Sequence, residues 1–171
     1  MTNSTAHARA RRNPADGRAP VRRAAGGLAV LFLLLGLLGF VPGVTSGFAD
    51  LRWAGHHSGA MLLGVFQVSV LHNAVHLLFG VVGLALARTA GGARTWLVGG
   101  GAVYLVLWLY GLAVDQRSAA NFVPVNDADG WLHLLLGAAM IASGLLTGRD
   151  AHRHRPGPGG RPVRFGRPGR G

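Results

Sequence analysis

The chain has 171 residues, half of them hydrophobic, and carries a formal net charge of +11. It has no cysteine, which excludes disulfides, thiolate metal ligands and thiol catalysis. All 17 basic residues are arginines, and they are separated from the long apolar runs, whereas an ordinary soluble domain mixes the two classes.

The first predicted element is a polar, arginine-rich tail, residues 1–23, which lacks apolar periodicity and is expected to be disordered. The apolar run 24–41 follows. It is longer than the hydrophobic part of a signal peptide, and Val41-Pro42-Gly43 offers no small-x-small cleavage pattern. We therefore predict a retained first membrane span.

Three more runs without a charged residue have the length needed to cross a hydrocarbon core of about 30 Å. They predict spans at about 60–87, 95–114 and 131–148, the second long enough to tilt or project. Residues 149–171 are rich in Arg, Pro and Gly and are expected to form a second disordered basic tail. The predicted fold is all-α, an integral membrane four-helix bundle over residues 24–148.

Small and polar residues share one face of the second run. Such faces let membrane helices pack closely, so Asn73 and His76 are predicted to face the bundle interior. The face comprises Ser69, His72, Asn73, His76, Gly80, Gly83 and Ala87.

The arginines predict the orientation in the membrane. Fifteen of the 17 lie in the two tails and the loop at 88–94, which places both termini in the cytoplasm. The absence of Lys and Glu is typical of a high-GC bacterial genome, so the expected location is a bacterial plasma membrane. Attraction to an anionic inner leaflet accounts for the basic tails, and no aromatic residues interleave there to bind nucleic acid. A homo-oligomer is left open, because transport would need more than four helices.

Two histidines four residues apart, His72 and His76, repeat the spacing of the zinc-hydrolase helix, but Asn73 stands where that motif needs Glu as a base. No catalytic residue and no metal site are predicted, and an enzymatic role is not favoured. A haem b site is the alternative. His72 and His133 each lie sixteen residues before an arginine, so they should lie at similar depth and approach one another. His72, His76 and His133 are the cofactor-binding candidates; otherwise neutral histidines would hydrogen-bond across helices, with Ser69 and Asn73 as partners.

The loop before the fourth run contains several polar residues. Asp127 or Asp129 is expected to cap the fourth helix, and this role is favoured over Ca²⁺ binding.

Two stretches resemble a family of small actinobacterial four-span membrane proteins, domain-of-unknown-function family 4383. They are His72-Asn-Ala-Val-His-Leu-Leu-Phe-Gly80 and Asn121-Phe-Val-Pro-Val-Asn-Asp-Ala-Asp-Gly-Trp-Leu-His-Leu-Leu-Leu-Gly137. The resemblance implies the same bundle and no assigned activity. It marks these residues for testing: Asn73, His76, Asn121, Pro124, Asn126, Asp129 and His133.

The expected function is that of a multi-pass membrane protein with a structural or interaction role, or one that handles a small molecule or lipid without chemistry of its own. The alternative is a haem-binding or redox membrane protein that uses its intramembrane histidines.

Overall fold

The computed structural model describes residues 19–149. Four α-helices dominate this part of the chain, which confirms the all-α class. A three-stranded antiparallel sheet of two-residue strands, in the order β1-β2-β3, and one 3-10 helix (Phe48–Asp50) accompany them. The elements are α1 (Ala19–Leu38), β1 (Thr45–Ser46), β2 (Met61–Leu62), β3 (Phe66–Gln67), α2 (Val70–Leu86), α3 (Ala90–Ala113) and α4 (Asp127–Arg149).

The second helix is shorter than its apolar run predicted. Within the predicted span 60–87, residues up to Ser69 form β2, β3 and the link to α2, and the helix begins only at Val70. Ser69 fixes that start because its hydroxyl accepts the His72 backbone N–H at 3.1 Å. Apolar residues in short strands and in a buried helix look alike in sequence.

The other helices begin earlier than predicted. The runs at 24, 95 and 131 are preceded by helical residues from Ala19, Ala90 and Asp127. Residues 19–23 are therefore helical rather than part of a disordered tail, because arginine is a good helix former whose charged end extends to water. The remaining tail predictions, for residues 1–18 and 150–171, lie outside the described residues.

Three helices are long and apolar enough to cross a membrane: α1, α3 and residues 127–147 of α4. With 17 residues, α2 is shorter. Large apolar side chains cover the outside of the bundle: Leu34, Leu78, Val106 and Leu135 are between 48% and 66% exposed. Such a surface suits lipid, and it supports a membrane protein of helix-bundle type.

Two antiparallel hairpins, α1–α2 and α3–α4, make the most extensive helix contacts. Glycines allow both. An added Cβ at Gly80 would lie 2.8 Å from the Ala29 carbonyl oxygen of α1, and one at Gly101 would lie 2.8 Å from the Gly137 carbonyl oxygen of α4. The predicted small-residue face of α2 is confirmed, because His72, Asn73, His76, Gly80 and Gly83 are its buried residues.

The cap, defined as residues 39–69 together with 114–126, covers the end of the bundle where α2 and α4 begin. Its two parts are joined where Gly55 N–H donates to the Phe122 carbonyl at 2.7 Å. Its apolar centre of Ala60, Leu62 and Val68 packs on Leu35 and Leu38 of α1. At the opposite end, the Arg22 guanidinium donates to the Ala87 carbonyl, joining the start of α1 to the end of α2.

Candidate functional site

Three buried histidines meet beneath the cap, and we call them the histidine cluster: His72, His76 and His133. They are between 3% and 6% exposed, and one potential ligand nitrogen of each lies within 4.8 Å of the others. The ring centroids of His72 and His76 are 4.6 Å apart, and those of His72 and His133 are 6.2 Å apart. The cluster thus combines neighbouring turns of α2 with a side chain from α4.

The predicted approach of His72 to His133 is confirmed by this distance. Both α2 and α4 begin at the cap, so His72 lies in the first turn of α2 and His133 in the second turn of α4. A single helix face directs His72 and His76 to the same point because side chains four residues apart lie one above the other.

The Nδ1 atoms of all three histidines are buried and have no hydrogen-bond partner among the described residues. The partners expected from the sequence are engaged elsewhere or unpaired. The Ser69 hydroxyl accepts a backbone N–H, and neither Oδ1 nor Nδ2 of Asn73 has a hydrogen-bond partner within residues 19–149. Buried polar groups are normally hydrogen-bonded, so three unpaired imidazole nitrogens in one cluster need an explanation.

Aromatic side chains from α1 and α3 complete the surroundings. The ring of Phe32 lies 6.0 Å from His76, and Tyr104 meets His133 edge-on at 5.3 Å. The backbone of Gln67 and of Pro124 lies beside the His72 imidazole. The sequence did not single out Phe32, Tyr104 or Gln67. The available signal was the presence of two tyrosine hydroxyls, at positions 104 and 110, inside the apolar run 95–114.

Asn73 does not act as a hydrogen-bond partner of the histidines within residues 19–149. Asn73 is fully buried on the inner face of α2, where its amide packs directly against Gly39 at the end of α1. Its inward orientation was predicted correctly, but the predicted cross-helix hydrogen bond is not made.

The candidate residues of the second loop stabilise the cap. Asn121 is fully buried; its Oδ1 accepts Val125 N–H at 3.1 Å, and its Nδ2 donates to the Gln116 and Val125 carbonyls. Pro124 is buried in the same turn. These bonds stabilise the loop next to His72. They already engage Oδ1 and Nδ2 of Asn121, so this side chain is not a ligand-binding group.

Asn126, rather than Asp127 or Asp129, is the capping residue of α4. Its Oδ1 accepts Asp129 N–H at 2.9 Å, and Asp129 Oδ2 accepts Asn126 N–H at 3.0 Å, a reciprocal capping box. The same carboxylate oxygen accepts Gln67 N–H of β3 at 3.0 Å, so Asp129 also ties the sheet to α4. Asp127 instead accepts a bond from Gln116 at 2.7 Å.

The imidazole nitrogens of the histidine cluster can donate electron pairs to a bound ligand. Within residues 19–149, the group of three contains no carboxylate and no thiol, so it offers no acidic partner for hydrolysis of the zinc-hydrolase type. Three imidazole nitrogens are ligands for a transition metal or, as a facing pair, for haem iron.

These features define the class: a helix bundle of membrane type with a buried histidine cluster closed by a loop cap. The chain belongs to the family described as Domain of unknown function (DUF4383), whose sequence profile matches residues 22–146. No curated protein and no solved structure matches the chain.

Proposed function

We propose that this protein is a four-span plasma-membrane protein that binds a small ligand at the histidine cluster without catalysing a reaction. The observation that carries the proposal is the set of three unpaired Nδ1 atoms in one buried group. Leaving a buried polar group unsatisfied costs about 1–3 kcal/mol. A ligand that accepts or donates at these nitrogens removes that cost.

The orientation in the membrane follows from charge. The basic end of the bundle includes Arg22, Arg23, Arg88 and Arg94, close to the start of α1 and to the short link between α2 and α3. Arginine-rich ends remain in the cytoplasm and attract anionic lipid. The cap and the histidine cluster then lie toward the outer surface, where a ligand would arrive from outside the cell.

A purely structural or interaction role is the competing function. In that case His76 stabilises the bundle by a polar contact, and His76→Leu lowers the free energy of unfolding by about 0.6–2 kcal/mol. Our proposal expects the opposite for the ligand-free protein, because leucine fills similar space without an unpaired nitrogen. Unfolding in detergent of wild type, His76→Leu and the exposed control His57→Leu separates the two. A clear loss of stability in ligand-free His76→Leu alone would reject ligand binding as the role of the cluster.

Haem is the second candidate ligand, favoured by one observation: the rings of His72 and His133 come from different helices and lie 6.2 Å apart. The crowding by His76 and Tyr104 favours a ligand smaller than a porphyrin. An absorption spectrum of the purified protein tests haem directly through its Soret band. The mass of the protein–detergent complex reports in the same preparation whether the chain forms a homo-oligomer.

A further inference from the structure

We infer that the histidine cluster is a binding site for one first-row transition-metal ion, Zn²⁺ or Cu²⁺, held by His72, His76 and His133. This inference rests on the proposed function, since it names the ligand class of the same site. It also differs from the sequence interpretation, which predicted no metal site because Asn73 stands where the zinc-hydrolase motif needs Glu.

The geometry requires little movement. One nitrogen of each histidine already lies within 4.8 Å of the other two. A tetrahedral ion with metal–nitrogen bonds of about 2.0–2.1 Å holds its ligands about 3.4 Å apart. Rotation of the imidazoles about their side-chain bonds is enough to close that difference, with the helix backbones in place.

The donor set selects the ion. Neutral imidazoles suit zinc, copper, nickel and iron, whereas calcium and magnesium require oxygen ligands that the cluster lacks. Copper and zinc stand at the strong end of the affinity order for such nitrogen sites. Three protein ligands leave a fourth position open for water or a small molecule, whereas a closed structural site uses four protein ligands.

No existing hydrogen bond at Nδ1 has to be broken for an ion to bind, because all three Nδ1 atoms are unpaired. The positive ends of the α2 and α4 dipoles oppose a cation, but only by a factor of about 2–5 in affinity per helix.

The test uses the full chain, purified in detergent without a polyhistidine tag. His7, His152 and His154 are replaced by Asn in all samples so that histidines outside the described residues do not bind the probe. After removal of metal with a chelator, Zn²⁺, Cu²⁺ or Co²⁺ is added alone. Bound metal per chain, thermal unfolding and the visible spectrum of the Co²⁺ form are measured.

The expected result is one ion per chain, a Co²⁺ spectrum typical of four-coordination, and a Tm rise of roughly 10 °C at about 1,000 times Kd. His72→Leu, His76→Leu and His133→Leu should each lower affinity at least about 100-fold. The matched control is the double variant His56→Leu/His57→Leu, which removes a stacked histidine pair with ring centroids 3.8 Å apart at the cap surface and should bind like wild type.

Absence of a bound ion overturns the inference, and what else is found decides whether the proposed function stands. Haem or another small molecule retained at the cluster, with no bound ion, rejects the metal but keeps ligand binding. Neither ion nor other ligand, together with loss of stability in ligand-free His76→Leu, rejects both. If a variant fails to fold, nitrogen hyperfine splitting in the Cu²⁺ form of the parent protein still counts the imidazole ligands; its absence would reject the site.

Discussion

At the scale of single residues, the cap and the histidine cluster use their polar groups in opposite ways. Asn121, Asn126 and Asp129 satisfy several backbone groups each, so they fix the loop above the cluster. The three histidines have no hydrogen-bond partner at Nδ1 in the part of the chain that the structure describes. The polar groups of the cap are therefore satisfied, whereas those of the cluster are not. This contrast is expected when a stable region supports a binding site in a neighbouring region.

Asp129 should be more important for stability than its neighbour Asp127. Its carboxylate accepts two backbone N–H groups from different segments, whereas Asp127 accepts one bond at the surface. We expect Asp129→Ala to lower the free energy of unfolding in detergent by about 1–3 kcal/mol. Asp127→Ala should cost less than about 1 kcal/mol, and Asp129→Asn should recover part of the loss. Equal effects at 127 and 129 would contradict the role assigned to the capping box.

Binding of a metal ion at the cluster should weaken as pH falls, because protons compete with the metal for imidazole nitrogen. We expect affinity to fall at least about tenfold once the pH is low enough to protonate the imidazoles, and burial of the cluster opposes their charged form. Metal titrations at several pH values measure this change. An affinity that does not fall even at strongly acidic pH would indicate ligands other than histidine.

At the scale of elements, small residues determine how closely the helices pack. Gly36, Gly80 and Gly83 bring α1 and α2 together, while Gly101 and Gly137 let α3 and α4 touch backbone to backbone. Close approach within each pair places Phe32 of α1 beside His76 of α2, and Tyr104 of α3 beside His133 of α4. The glycines therefore act on the cluster at a distance, through helix spacing.

A methyl group added at Gly80 should therefore separate α1 from α2. Its Cβ would lie 2.7 Å from Leu33 Cγ and 2.8 Å from the Ala29 carbonyl oxygen. We expect Gly80→Ala to destabilise the bundle by about 1–3 kcal/mol, measured by thermal or denaturant unfolding in detergent. Gly99→Ala is the matched control because nothing lies within 4 Å of its added Cβ. It should be neutral or stabilising by up to about 1 kcal/mol. A loss at Gly99 as large as that at Gly80 would argue against the packing explanation.

At the scale of the whole molecule, charge and apolar surface divide the protein into distinct regions. The outer surface of the bundle carries exposed leucine and valine, one end carries arginines, and the other end carries the cap. The proposed orientation in the membrane rests on this division. The proposed orientation places the cluster close to the outer surface, in a setting where an extracellular ligand has a short path.

The orientation can be measured with introduced cysteines, since the chain has none of its own. Both Ala119 in the cap and Gly91 near the basic end are exposed. We expect a membrane-impermeant maleimide to label Ala119→Cys in intact cells, and Gly91→Cys only after the membrane is permeabilised. Labelling of both positions in intact cells, or the reverse order, would reject four spans with cytoplasmic termini.

The sequence determined the helical class, the apolar runs and the inward face of α2, because these depend on composition and on the 3.6-residue period of a helix. It also indicated that His72 and His133 would meet, from their distances to Arg88 and Arg149. It could not indicate that residues 60–69 contain the strands β2 and β3 instead of helix, since two-residue strands have no period to detect. The capping role of Asn126 was missed because Asn126, Asp127 and Asp129 are all good capping residues. Only the position at which the helix begins decides between them.

Only the tertiary structure decided what surrounds the histidines. The positions of Tyr104 and Phe32 beside the cluster depend on how two helical hairpins pack, and the sequence of one hairpin carries no information on its rotation against the other. The pairing of polar atoms is decided in the same way. Asn73 lies next to His72 in the sequence, yet its amide packs on Gly39. Close packing of the helices determines the position of each side chain.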